Sequence, residues 1–163
     1  MNIIVARHGF SAANNRDLYG TPAFANPAAP LMPIGIKQAS DLGKQLVSEY
    51  GIDLENEPVA VSMMRRAQET AIVAGFRWLH LYTTLNEEKG DTKDQDMQTV
   101  LAERRAPDAT RKAAQYLIAN PPKERVWVTH GLLIATLCQE LNIYQDVRFT
   151  PKFCEIREIS LQD

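Results

Sequence analysis

The chain has 163 residues, one domain's worth at about 150 residues per domain. A chain of this size buries about 70% of its unfolded surface and needs no disulfide or metal to hold a core. At 45% hydrophobic, 23% charged and 7% aromatic residues, the composition excludes a disordered, collagenous or coiled-coil chain. Eighteen Lys+Arg against twenty Asp+Glu leave a net charge of −2 and a pI near 5.9, which excludes nucleic acid as the default partner. A single domain over residues 1–163 is expected.

In chain order, residues 3–6 form a short apolar run that stops at Arg7-His8-Gly9. This run is far shorter than the apolar stretch of a signal peptide, and no run approaches the ~20 residues of a membrane span, so a cytoplasmic protein with no membrane partner is expected. Short continuous apolar runs suit strands buried on both faces, as in parallel sheets. Residues 10–32 carry Pro22, Pro27 and Pro30 with little periodicity, and so long a loop in a small domain points to function. Pro33 opens a helix as a first-turn proline, with Ile36, Ala39, Leu42, Leu46 and Val47 on one face until Gly51.

Residues 58–61 repeat the buried-strand pattern, and Ser62 is placed to cap a helix running through Ala67, Ala71 and Ala74 to Gly75. Residues 79–85 are a more polar candidate strand. Residues 87–96, with five acidic side chains and Gly90, read as a mobile solvated loop. Asp108, after Pro107, is placed to cap a helix that Asn120-Pro121-Pro122 stops. Residues 126–128 form a third buried run, 131–141 a helix apolar nearly all round, and 154–161 an edge strand of imperfect alternation. Cys138 and Cys154 lack CxxC or zinc-finger spacing and read as buried thiols. Strands alternating with helices predict an α/β fold, a three-layer α/β/α sandwich around a mostly parallel mixed sheet.

The chemistry concentrates on two of the three histidines. His8 and His130 each follow a buried run and precede a glycine that would let backbone approach a ligand. In an open parallel sheet the ligand crevice lies beyond the carboxyl ends of the strands, so neighbouring strands would bring both imidazoles there. His80, inside an alternating segment, reads as structural. Arg7 adjoins His8, and Arg65 and Arg66 follow the strand ending at Ser62. Guanidiniums, imidazoles and a helix N-terminus in one crevice suit a dianionic phosphate. Only one of two adjacent helical arginines can point inward, and Arg65 is read as the solvated one.

These residues resemble the histidine phosphatase superfamily, branch 1, also called phosphoglycerate-mutase-like. Arg7-His8-Gly9 with Ser11 and Asn14 resembles its signature. Leu31-Met32-Pro33-Ile34-Gly35 with Gln38-Ala39, Ser62 to Ala67 with Thr70-Ala71, Leu85-Asn86-Glu87 and Val128-Thr129-His130-Gly131 match further segments in order. The resemblance implies His8 as nucleophile and Arg7, Arg66 and a protonated His130 as holders of the phosphoryl oxygens. It implies Ser11 and Asn14 as lesser phosphate contacts and Glu87 as proton donor, with Glu88 the adjacent alternative. Phe10, Met32 and Glu69 depart from the usual acidic residue, Thr and Gln, Gly90 is displaced by one residue, and a G-E-S segment is absent.

The implied activity is a metal-independent phosphatase needing no cofactor, acting on a small phosphorylated metabolite or a phosphoprotein. The alternatives are a phosphoglycerate-mutase-type phosphotransferase and a non-catalytic phospho-ligand binding module. The short spacing before His130 argues against the closing lid of a mutase, and an intact nucleophile against the module. Residues 10–32 and the Arg104-Arg105 pair are candidates for lining the entrance. The sequence sets no oligomeric state.

Overall fold

A computed structural model describes residues 1–87 and 97–162. The expected loop over 87–96, apart from Glu87, lies outside the described residues, as do Glu88 and Gly90. Among the described residues five strands form one sheet: β1 (Asn2–Arg7), β2 (Val59–Ser62), β3 (Leu79–Tyr82), β4 (Val126–Thr129) and β5 (Ile156–Ser160), in the order β3-β2-β4-β1-β5. The first four run parallel, and β5 pairs antiparallel with β1 at an edge. The mostly parallel mixed sheet follows from the three apolar runs, which occupy its centre.

Alternation along these strands feeds two cores. Ile4, Ala6, Val59, Val61, Val126 and Val128 face α1 (Pro33–Tyr50) and α2 (Arg65–Ala74). Ile3, Val5, Ala60 and Trp127 face α4 (Asp108–Ala119) and α5 (Gly131–Glu140). Helices therefore cover both faces, and with no water on either side the middles of the central strands are continuously apolar: residues 3–6, 59–61 and 126–128. A further short helix, α3 (Met97–Glu103), has no counterpart among the expected elements; its Val100 packs with Leu132, Ala135 and Phe149.

Several boundaries and caps differ from expectation. The 79–85 candidate divides into β3 and a 3₁₀ turn over Thr83–Leu85. Ser62 ends β2 and does not cap α2, whose N-cap is Met64. Asp108 lies inside α4, where Pro107 takes the cap position and Asp108 pairs with Arg111 across one turn. In β5 the imperfect alternation has a physical cause: Arg157 occupies a buried position at 2% exposure, in register with Ile159 and Leu161. Its guanidinium donates to the carbonyls of Phe149 at 3.0 Å and Arg148 at 2.5 Å. A charge thus takes a core-facing position of the strand, and its hydrogen bonds offset its desolvation.

Residues 10–32 are built rather than loose, with 3₁₀ turns at Ala12–Asn14 and Arg16–Leu18 and a small apolar cluster of Ala12, Ala13 and Ala29. The first turn of α2 clasps this segment. Arg65 donates from its backbone to Pro27 O (2.9 Å) and from its side chain to Ala28 O (3.3 Å), and Glu69 accepts from Leu31 N (3.4 Å). No helix among the described residues is long and apolar enough to cross a membrane.

Candidate active site

The carboxyl ends of β1, β4 and β2 deliver His8, His130 and the Ser62–Arg66 turn to one edge of the sheet. β1 and β4 are direct neighbours in register Arg7↔Thr129, so the residues that follow them meet. The two imidazole centroids are 5.1 Å apart, and His8 and His130 are 2% and 1% exposed. α5 begins directly after His130, and its N-terminal end adds positive potential to the same crevice.

Each imidazole is oriented by a fixed partner. His8 Nδ1–H donates to the Gly9 carbonyl at 2.7 Å, which makes Nε2 the unprotonated nitrogen; its lone pair accepts from Arg66 Nε at 3.3 Å. Arg66 Nη2 lies 3.5 Å from His130 Nδ1, so His130 carries its proton on Nε2 and donates to Ser62 Oγ at 2.8 Å. Ser62 in turn donates to Asn86 Oδ1 at 2.9 Å. Burial, then Arg66 and Arg7, holds the His8 pKa well below 6.5. Burial, then His8, Arg66 and Arg7, does the same for His130. Water is excluded and two guanidiniums stand near each ring, so burial and charge both disfavour the imidazolium form of His8 and of His130.

The two arginines divide as helix geometry requires. Arg66 is buried at 3% exposure, while Arg65 is exposed and bonds Glu69 one turn along α2. Arg66 Nη2 also holds Glu87 Oε2 at 2.7 Å, and the Glu87 side chain is 45% exposed, a carboxylate at the mouth of the cluster. Arg7 donates to Pro151 O at 2.8 Å, and its guanidinium lies 4.0 Å from the centroid of the Phe153 ring. Burial, then the charge of Arg148, lowers its pKa to about 10, so it stays cationic at neutral pH. Arg7 Nε and Arg66 Nη1 are buried with no partner among the described residues. Buried donors without acceptors are rare; these two belong to the arginines beside the histidine pair, and an anion's oxygens are the kind of acceptor that would satisfy them.

The glycines after the histidines have a packing role. A Cβ on Gly9 would stand 2.7 Å from Gly35 O, and one on Gly131 would stand 2.8 Å from Arg7 Nε. Gly9 thus admits the first turn of α1, and Gly131 makes room for the Arg7 side chain. Ser11 and Asn14 bond each other (Oγ to Oδ1, 2.6 Å) and close their own turn. Arg104 pins the loop after α5 by donating to Val147 O and Gln145 O, at 2.7 and 3.0 Å. His80 pairs with the buried Glu124 beside Tyr82, away from the histidine pair.

Sequence reasoning missed four contributors. Ser62 and Asn86 orient His130, and Thr70 accepts from Gly9 N at 2.9 Å, tying α2 to the turn after β1. Phe153 covers Arg7. Ser62 and Thr70 stood inside recognised segments, whereas Phe153 lies far along the chain with no pattern to mark it. Among the described residues no three His, Cys, Asp or Glu side chains gather as metal ligands would.

The family model for the histidine phosphatase superfamily, branch 1, matches residues 3–115. The chain belongs to this superfamily. Among curated proteins no sequence matches closely enough to count as a relative. Solved structures of similar fold include TTHB049 from Thermus thermophilus, at 19% identity and TM-score 0.65 over 98% of this chain and 93% of that one. The phosphoserine phosphatase of Entamoeba histolytica, in complex with 3-phosphoglyceric acid, is similar at 21% identity and TM-score 0.64, over 96% and 89%. A mycobacterial glucosyl-3-phosphoglycerate phosphatase in complex with VO3 is similar at 19% and 0.59, over 98% and 90%. For this superfamily member the likenesses confirm the α/β fold with helices on both sides of a mixed sheet.

Proposed function

We propose that this chain is a metal-independent phosphatase, hydrolysing a phosphate monoester or phosphohistidine through a covalent phosphohistidine on His8. The observation that carries the reading is the His8 ring itself: neutral, locked by the Gly9 carbonyl, with its Nε2 lone pair turned toward Arg66. A binding site for phosphate needs cations; it does not need an imidazole held in its nucleophilic tautomer.

In the first step His8 Nε2 attacks phosphorus in line, the P–N bond forms and the bond to the ester oxygen breaks. Glu87 gives its proton to the departing oxygen. Arg7, Arg66 and His130 hold the equatorial oxygens, on which charge is spread in the transition state. Arg66 pairs with Glu87. An arriving dianion competes for that guanidinium, and its negative charge favours the neutral acid and the imidazolium form of His130. In the second step Glu87 takes a proton from water, the oxygen attacks phosphorus, and the P–N bond breaks to restore His8. Fixed positive charge does the neutralising, so the chemistry calls for no metal. Similar folds bound to 3-phosphoglyceric acid and VO3 support a small phosphorylated metabolite as substrate, with a phosphoprotein as the larger candidate.

The test is acid-quenched trapping of a phosphoenzyme, together with turnover of p-nitrophenyl phosphate after prolonged chelation. Wild type forms an acid-labile phosphohistidine and keeps its rate in chelator; His8→Ala forms none. Residual turnover in His8→Ala above about a tenth of wild type, at unchanged Tm, overturns the nucleophile assignment.

A further inference from the structure

Beside the reacting centre stand two aromatic rings that the proposed chemistry does not use. The Phe153 ring lies 5.9 Å from the His8 ring, and the Phe10 ring meets Phe153 at 5.4 Å with an interplanar angle of 78°. Both side chains remain partly exposed, while the imidazoles behind them are buried. An edge-to-face pair makes a corner, and a corner of two rings receives a third flat group with little loss of freedom.

The corner is also held in place. Cys154 N donates to Arg7 O at 3.0 Å and to His8 O at 3.3 Å, and Arg7 grips Pro151 O on the other side of Phe153. Phe10 N donates to Gln38 Oε1 at 3.0 Å, and Phe10 O accepts from Met32 N at 2.9 Å. Neither backbone has to be ordered when a ligand arrives, so the contact with a ligand is not spent on fixing the loops.

The geometry points to Phe10 and Phe153 as the specificity-determining wall for the leaving group, so that the preferred substrate carries a flat apolar body next to its phosphoryl group. This rests on the reading that the His8–His130 cluster holds that phosphoryl group. Phe153 has a second duty in covering Arg7, whereas the Phe10 side chain makes no hydrogen bond to the cluster, so Phe10 isolates the effect.

Non-hydrolysable phosphonates separate binding from turnover. Calorimetric titration of the whole chain with methylphosphonate and benzylphosphonate gives a Kd for each, in wild type, Phe10→Ala and Phe153→Leu. In wild type benzylphosphonate binds about tenfold tighter than methylphosphonate, the advantage that ring–ring contacts supply. In Phe10→Ala that ratio falls to about threefold or less while the methylphosphonate Kd stays within about twofold. Phe153→Leu also loses the ratio. Equal affinities in wild type overturn the inference, and so does a ratio that survives both substitutions. Failure of either phosphonate to bind overturns it together with the phosphoryl site. The expected ratios with no turnover of benzyl phosphate support the wall and overturn only the catalytic reading.

Discussion

Arg65 and Arg66 are chemically identical neighbours with opposite surroundings, and the difference is the 100° step of a helix. Arg66 reaches both histidines and Glu87 from a buried position; Arg65 lies along the outside of α2 and clasps Glu69 and Ala28. In the proposed chemistry Arg66 loses nothing by waiting, because Glu87 occupies it until a phosphoryl group arrives. Arg66→Ala is expected to lower kcat/KM by about 10²–10³-fold, the usual cost of removing one charge-assisted donor from a transition state. Arg65→Ala should change it by less than about threefold, with a stability loss of about 1 kcal/mol or less from an exposed pair. Steady-state kinetics on one ester with both variants decides the assignment, and the reverse ranking overturns it.

At the scale of elements, the site depends on how closely α1 and α2 approach each other beneath it. A Cβ on Gly43 would lie 1.9 Å from Ala74 O and 2.8 Å from Ala74 C. Backbone cannot swing aside as a side chain can, so Gly43→Ala must push the helices apart. An overpacking cost of about 2–3 kcal/mol is expected, about 5–10 °C in Tm; an unchanged Tm would show that α1 and α2 do not meet there.

This contact was invisible in the sequence, where Gly43 is one small residue in an amphipathic helix. The elements around it were legible because their patterns are physical consequences of burial: continuous apolar runs for the central strands, a one-sided stripe for α1. The helix starts were less legible. Ser62 and Asp108 are good capping residues, but Ser62 Oγ is taken by His130 and Asn86, and Asp108 by Arg111. A local preference for capping lost in each case to another partner. Arg157 was unreadable for the same reason, since its acceptors Phe149 and Arg148 lie on a loop that no pattern along β5 indicates. The histidine pair was legible because each ring sits at the end of its own buried run, and the register of β1 against β4 does the rest.

The whole molecule keeps two neutral imidazoles out of water, and this links its stability to pH. The unfolded chain binds protons at both rings near pH 6.5, while burial and the neighbouring guanidiniums prevent the folded chain from doing so until a much lower pH. With folded-state pKa values depressed, the unfolded state holds more protons below about pH 6.5, so stability rises with pH through that window. The contribution is complete above about pH 6.5 and is lost progressively as the pH falls toward the depressed values. Two such groups give a slope of roughly 2.7 kcal/mol per pH unit once both titrate in the unfolded chain. Denaturant unfolding at pH 7.5, 6.5 and 5.5 should show little change over the first interval and a steep fall over the second. Glu124, whose pKa is lowered by His80 and Tyr82 against its burial, adds to the loss only below the carboxylate range, so it does not imitate the effect. His130→Asn removes one of the two groups and should halve the slope. A flat profile from pH 7.5 to 5.5 would mean that the folded chain accepts protons on these rings as readily as the unfolded chain does, and the depression of both imidazoles by burial and the guanidiniums would be overturned.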